Sequence, residues 1–318
     1  MKMNVKKLLV IGLVTLTAMG AQAQEELLKY GDFESWVTRS ITESKIIGGK
    51  TKTLMEVGPT MKYTEKVYKN QGGSPWGTSN IYAHVSGISK TNTSVYRDKH
   101  QGGSCVKLQT HVEGVKVLGV VNIHVIAAGS IFLGDMVEPI TSASNPMRYL
   151  NPGIPFTRRP KALKIDYKIL LSDSANVRMT GLSRKKVMTY KDYPDIQCML
   201  QKRWEDEEGN IHALRVGTLV HRFYQSTKGW QEGKTFTIHS GDITGEKFYK
   251  NWMGLVTGDD SFYATNSKGK QVKIIEEGWA SADETPTHLI LKFNSSCSGA
   301  YIGSPGNTFW LDNVRLVY

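Results

Sequence analysis

The chain has 318 residues, 40% of them hydrophobic and 22% charged, with a formal charge of +11. That length can bury an ample core without covalent staples, and Cys105, Cys198 and Cys297 are scattered in no metal-binding spacing. The basic balance is diffuse: Arg158-Arg159 with Lys161 and Lys164, and Arg184-Lys185-Lys186, are its clusters, and neither interleaves aromatics as a nucleic-acid surface would.

Residues 1–23 read as a secretory signal peptide. Lys2, Lys6 and Lys7 give a basic start, Leu8 to Met19 an apolar stretch, and Ala21-Gln22-Ala23 a small-x-small cleavage site. The stretch is too short and wrongly flanked for a membrane span, and no later run is apolar enough to cross a bilayer. No cysteine at the cleavage point marks a lipoprotein. Without those three lysines, 37 basic residues stand against 29 acidic ones, a formal +8. The expected protein is exported, to the periplasm, the cell surface or the medium. There one disulfide could form, or the three cysteines could be small buried hydrophobes. A basic face in that setting meets an acidic polysaccharide or an anionic cell surface sooner than nucleic acid.

From residue 24 the sequence predicts strands and turns almost throughout, in one domain reaching residue 318. Gly48-Gly49, Gly72-Gly73, Gly102-Gly103 and Asn151-Pro152-Gly153 are the main turn signals. Ser104 to Val112 alternates in hydrophobicity, and Val115 to Leu133 is a β-branched run suited to one or two buried strands. Lys161 to Leu170 sets Leu163, Ile165, Tyr167 and Ile169 against Lys164, Asp166 and Lys168. Ile196 to Arg203, Ile211 to Tyr224, Thr235 to His239 and Thr287 to Phe293 continue the pattern. Two stretches read as elaborated loops, Asp135 to Pro160 and Gly241 to Glu284. The close, Leu311 to Tyr318, alternates as a strand with Asp312, Val314, Leu316 and Tyr318 on one face. Helical periodicity is absent beyond the leader.

The two ends carry matching signatures, Gly31-Asp32-Phe33-Glu34 with Trp36, and Phe309-Trp310-Leu311-Asp312-Asn313-Val314. A Gly-x-Phe-Glu opening with a strand-borne Asp-Asn-Val close resembles the paired terminal strands of galactose-binding-like jelly rolls. The resemblance implies an all-β jelly-roll β-sandwich of the carbohydrate-binding-module kind, with ends that meet. It also implies a structural calcium shared by Glu34 and Asp312, with Asp98 supplying a further ligand and Asp32 an alternate. The other reading is that these carboxylates cap strand ends or pair with Lys or Arg; no dense Asp-x-Asp-x-Asp loop announces a site.

Further blocks run in order: Trp76-Gly77-Thr78-Ser79-Asn80, Gly103 to Thr110, Ala128 to Gly134, Gly153-Ile154-Pro155-Phe156-Thr157-Arg158-Arg159-Pro160 into Asp166-Tyr167-Lys168, and His288 to Phe293 ahead of Gly303-Ser304-Pro305-Gly306-Asn307. Through these the chain resembles the family named for a "putative carbohydrate metabolism domain" (PCMD), exported proteins of glycan-degrading Gram-negative bacteria. The family implies work on a polysaccharide or oligosaccharide, beside other outer-surface glycan-uptake proteins. The Gly241 to Glu284 stretch is longer than the family pattern.

Sugar recognition needs flat apolar faces for the C–H side of a pyranose and polar groups for its hydroxyls. Trp76, Trp252 and Trp279 have the loop placement of binding residues, and Arg158 or Arg159 could pair with vicinal hydroxyls or a uronate. The expectation is an open platform of Trp252 or Trp279, with Trp76, beside that arginine pair. The structural reading is that these tryptophans are core and that one arginine anchors the long connection. Trp36 and Trp310 read as core, and Trp204 fits either role. Glycosidic hydrolysis needs two facing carboxylates, one with a raised pKa. Asp166 sits between Lys164 and Lys168, which favour its ionised form, and the runs Glu205 to Glu208, Asp259-Asp260 and Asp283-Glu284 belong in solvated turns. An exported carbohydrate-binding protein is the leading reading. A glycoside hydrolase and a non-catalytic surface adhesion or assembly subunit are the alternatives.

Overall fold

The computed structural model describes residues 24–117, 121–180 and 184–318; the leader expected over 1–23 lies outside them. Two antiparallel-rich sheets pack face to face. The smaller runs Gln231–Thr237, Ala162–Leu170, Thr308–Val317, Gly103–Gln109, Val95–His100, with Glu25–Leu27 beside the end of Thr308–Val317. The larger follows the order Leu150–Pro152, Ser130–Met136, His288–Asn294, Asp195–Glu205, Ile211–Arg222, Gln271–Trp279, Tyr263–Thr265, with three short strands alongside. Helical structure among the described residues is confined to short 3-10 turns. This is the expected all-β sandwich of jelly-roll type.

Alternation decides the packing. Val106, Leu108, Leu163, Ile165, Ile169, Phe309 and Leu311 point inward from the smaller sheet. Ile131, Leu133, Ile196, Cys198, Leu200, Leu289, Leu291 and Phe293 meet them from the larger. Burying such side chains stabilises the fold by roughly 1.5–3 kcal/mol each. Phe33 joins that core, and the amide of Leu28 donates to Val314 O at 3.0 Å while Val314 N donates to Gly31 O at 2.8 Å. The two chain ends therefore belong to one sandwich, as their signatures imply.

The closing strand breaks the simple alternation. Asp166 pairs Asp312 and Lys164 pairs Arg315, so Asn313 and Val314 together oppose Ile165 alone. Asn313 takes φ 53°, the left-handed region that Asn tolerates better than most residues. This bulge turns Leu311 and Val314 to the same buried side, whereas strict alternation assigns them opposite faces. At Gly129 an added Cβ would fall 2.4 Å from Ser94 O, so only glycine admits that crossing of chains.

The Gly241 to Glu284 stretch is more ordered than a loop. Gln271–Trp279 runs parallel to Ile211–Arg222 as a full strand of the larger sheet, and Tyr263–Thr265 pairs back onto it. The stretch folds over the outer face of that sheet, where Ile243, Met253, Phe262, Ala264 and Ile274 form a second core with Met199, Ala213, Val220 and Ile290. The three cysteines are free thiols; Cys105 and Cys198 are buried, and Cys297 is half-buried.

Candidate functional site

The inward set of each strand of the larger sheet fixes what faces outward. With Leu291 and Phe293 in the core, Lys292 and Asn294 turn out; with Ile196 and Cys198 inside, so do Asp195 and Gln197. Register then aligns two rows. One runs Arg222, Asp195, Asn294, Ser130, and the next Val220, Gln197, Lys292, Phe132.

Asp195 is the hub of these rows. It is 1% exposed, and it accepts hydrogen bonds from Asn294 Nδ2 at 2.7 Å and Gln197 Nε2 at 2.8 Å. Burial pushes its carboxyl up to about 6, against the opposing pull of those bonds and of Lys292 and Arg222. Burial also lowers the Lys292 ammonium, which stands 5.0 Å from the Phe262 ring centroid. Arg222 packs its guanidinium 4.6 Å from the Trp252 centroid, and its buried Nε has no hydrogen-bond partner among the described residues.

Beside this face, Val220 and Trp252 help to line a groove of about 430 Å³ whose walls come from strands of both sheets. Its walls include Tyr224 and Phe248, 55% and 38% exposed, with His221, Phe236, His239 and Trp252. His239 stacks on Phe248 at 4.0 Å between centroids. Burial lowers the His221 pKa, which favours the neutral imidazole, able both to donate and to accept. Thr235, Thr237 and Lys250 add polar groups along the rim. Apolar ring faces beside convergent polar side chains are what a sugar requires.

The sequence-derived candidates divide. Trp252 lines the groove. Trp279 instead walls a buried network: Arg215 lies 5.6 Å from its ring centroid and donates to Glu276, which also accepts from Gln201 Nε2 at 2.6 Å and Val256 N at 2.7 Å. Trp76 is fully buried, edge-on to Phe33 at 5.4 Å, and its Nε1 donates to Lys29 O. The strand pairing of Trp76–Thr78 on Ser130–Met136 drives it into the core, so it offers no face to a ligand. Arg158 pairs with Glu26 and lies 3.7 Å over the Tyr318 ring, tying down both chain ends. Arg159 donates to the carbonyls of Ala282 and Asp283, near the end of the elaborated stretch. Trp310, read as core, stands on the outer face of the smaller sheet, because Phe309 and Leu311 are its inward neighbours.

The three carboxylates linked to calcium each have other partners. Glu34 accepts from Ser104 N, Asp98 from Trp310 Nε1 at 2.9 Å, and Asp312 lies 2.7 Å from His100 Nδ1. Among the described residues no group of three or more His, Cys, Asp or Glu stands close enough to hold a metal ion. Sequence reasoning missed Asp195, Lys292, Arg222, Tyr224 and Phe248. A charged residue at the end of an apolar strand was the available signal for Asp195 and Arg222, and one inside an apolar strand for Lys292.

The model of the family described as "Putative carbohydrate metabolism domain" matches residues 51–254, and the chain belongs to that family. Two solved structures are similar. One is described as a putative glycoside hydrolase from Bacteroides thetaiotaomicron, 19% identical over 85% of this chain and 76% of that one, with a TM-score of 0.47. The other, with the same description, is from Bacteroides vulgatus, 14% identical over 92% of this chain and 94% of that one, with a TM-score of 0.46. No curated protein matches the chain.

Proposed function

We propose that the protein is an exported carbohydrate-binding protein that holds an oligosaccharide or polysaccharide chain in the groove walled by Tyr224, Phe248 and Trp252. The carrying observation is this groove itself: the aromatic faces of Tyr224, Phe248 and Trp252 beside the polar groups of His221, Thr235, Thr237, His239 and Lys250. Membership of a carbohydrate-metabolism family supports the substrate class. Glycan capture in the periplasm or at the cell surface, beside glycan-uptake proteins, is the setting this reading implies.

Asp195 supports hydrolysis as a second reading, because a carboxyl raised to about 6 suits a general acid. The reaction needs a second carboxylate facing it. Glu276 is the other buried acid on this face, and Arg215, Gln201 and the Val256 amide already occupy its oxygens. Binding is therefore the better reading. A glycan array on residues 24–318, followed by reducing-sugar assays on every hit, tests both. The expected result is binding without sugar release. Release abolished by Asp195→Asn would move the reading to hydrolysis, and an array without hits would leave an adhesion or assembly subunit.

A further inference from the structure

The outer face of the smaller sheet carries a row that shares no residue with the groove. Tyr96 pairs Lys107, Lys107 pairs Trp310, and Trp310 pairs Lys168, each directly across neighbouring strands. Gln231 pairs Tyr167, so Trp230, one residue earlier, continues the line beyond Lys168. Aromatic and cation alternate over five strands, roughly 19 Å at the usual strand spacing. All five are half-buried, since Val95, Val106, Leu108, Phe309, Leu311 and Ile169 take the inward positions.

Neighbours on the same face of the sheet hold the row in place. Trp310 Nε1 donates to Asp98 at 2.9 Å, and Trp230 stacks on the buried His100 with centroids 3.7 Å apart. Lys107 Nζ lies 5.7 Å from the Tyr96 centroid and 5.8 Å from that of Trp310; Lys168 Nζ lies 4.0 Å from Trp310 and 5.7 Å from Trp230. Neither lysine has an ion-pair partner among the described residues, whereas Lys90 and Lys164 do. Beyond Tyr96 lies a hollow of about 360 Å³ lined by Lys52, Lys90, His111, Glu113 and the threonines Thr53, Thr91 and Thr93.

The geometry points to a second binding face, one that takes an anionic polysaccharide. Its carboxylates or sulfates meet Lys107 and Lys168, and its ring faces lie on Tyr96, Trp310 and Trp230. Two ammonium groups held over aromatic rings, neither in an ion pair, outnumber Asp98, the carboxylate that both act on, so the row keeps an excess of positive charge complementary to a chain whose charges recur along its length. A neutral glycan would leave that excess of positive charge unmatched.

The test measures binding of residues 24–318 to polygalacturonate, to heparin and to neutral hydroxyethylcellulose. The two acidic polymers separate a preference for carboxylate from one for sulfate. Lys107→Gln/Lys168→Gln should weaken binding of the preferred acidic polymer by about tenfold or more, and Lys107→Arg/Lys168→Arg should restore most of it. Lys185→Gln/Lys186→Gln removes the same charge at exposed positions elsewhere, and should change affinity by less than about twofold. Equal losses in the two glutamine pairs would reduce the effect to general cation attraction and overturn the proposal. So would no binding to either acidic polymer, or single-stranded DNA bound as tightly as both. None of these outcomes touches the groove.

Discussion

The Arg222 guanidinium lies over the Trp252 ring, its carbon 4.6 Å from the ring centroid, so the buried polar row of the larger sheet touches a wall of the aromatic groove. The contact joins a strand of the sandwich to the elaborated stretch laid over it. Trp252 is thus held from one side and half-exposed on the other.

Truncating that ring should separate binding from folding. Trp252→Ala and Tyr224→Ala are expected to weaken glycan binding by about 1–2 kcal/mol each, the scale of a lost stacking face. Their melting temperatures should shift far less than that of Trp76→Ala, which removes a fully buried side chain and should cost about 3–5 kcal/mol of stability. Calorimetric titration beside thermal melts reads both quantities. Unaltered binding in both groove variants would remove the groove as the site.

Much of this arrangement is legible in the sequence, and the rest is not, for physical reasons. Alternation marks Lys161 to Leu170, Ile196 to Arg203 and Thr287 to Phe293 as strands because each has one face in the core. It cannot say which tryptophan is inside. Trp76 sits in a glycine- and proline-rich turn yet is buried, and Trp310 flanks core residues yet faces out; a single position carries no period. The bulge at Asn313 is equally silent, since one inserted residue reverses the alternation without changing composition. The groove combines residues from Ile211–Arg222, Gln231–Thr237 and the elaborated stretch, which only tertiary contact brings together.

The Asn313 bulge gives a local test. Asn313→Ala should destabilise by about 1–2 kcal/mol, because a Cβ without a compensating side-chain hydrogen bond resists φ 53°. Asn313→Gly relieves that strain but loses the 2.8 Å bond from Nδ2 to Asp166 Oδ2. Denaturant unfolding should therefore rank wild type above Gly and Gly above Ala. An Ala variant as stable as wild type would contradict the bulge.

The pH dependence follows from Asp195. Its folded pKa is raised above the ordinary carboxylate value to about 6, so the folded state holds the proton more tightly than the unfolded chain does. The stability tied to this group is fully present below the unfolded pKa and is lost as pH rises through about 6. Wild type should lose melting temperature between pH 4.5 and 7.5 by more than Asp195→Asn does, the variant having no proton to release. A carbon-13 titration of the carboxyl should show its midpoint near 6, and a midpoint near 4 would refute the assignment.

Glu276 supplies the sharpest stability prediction. Its carboxylate, carried by the elaborated stretch on Gln271–Trp279, is 1% exposed and lies against an Arg215 side chain that is fully buried. Arg215 Nε donates at 2.6 Å, Gln201 Nε2 at 2.6 Å and the Val256 amide at 2.7 Å, while Arg215 Nη1 reaches Thr218 at 3.2 Å. Breaking such a pair from one side leaves a buried charge without its counter-ion, at a cost of about 3–5 kcal/mol. Glu276→Gln should fall in that range, because the amide cannot neutralise the guanidinium. Arg215→Met/Glu276→Leu removes both charges and leaves neutral groups unpaired, the Gln201 and Val256 donors and the Thr218 hydroxyl, so it should be less destabilised than Glu276→Gln alone. Urea unfolding of the two variants measures the ordering. If the double variant proved the less stable, the pair would be contributing net stability rather than holding the stretch in one arrangement over the sheet.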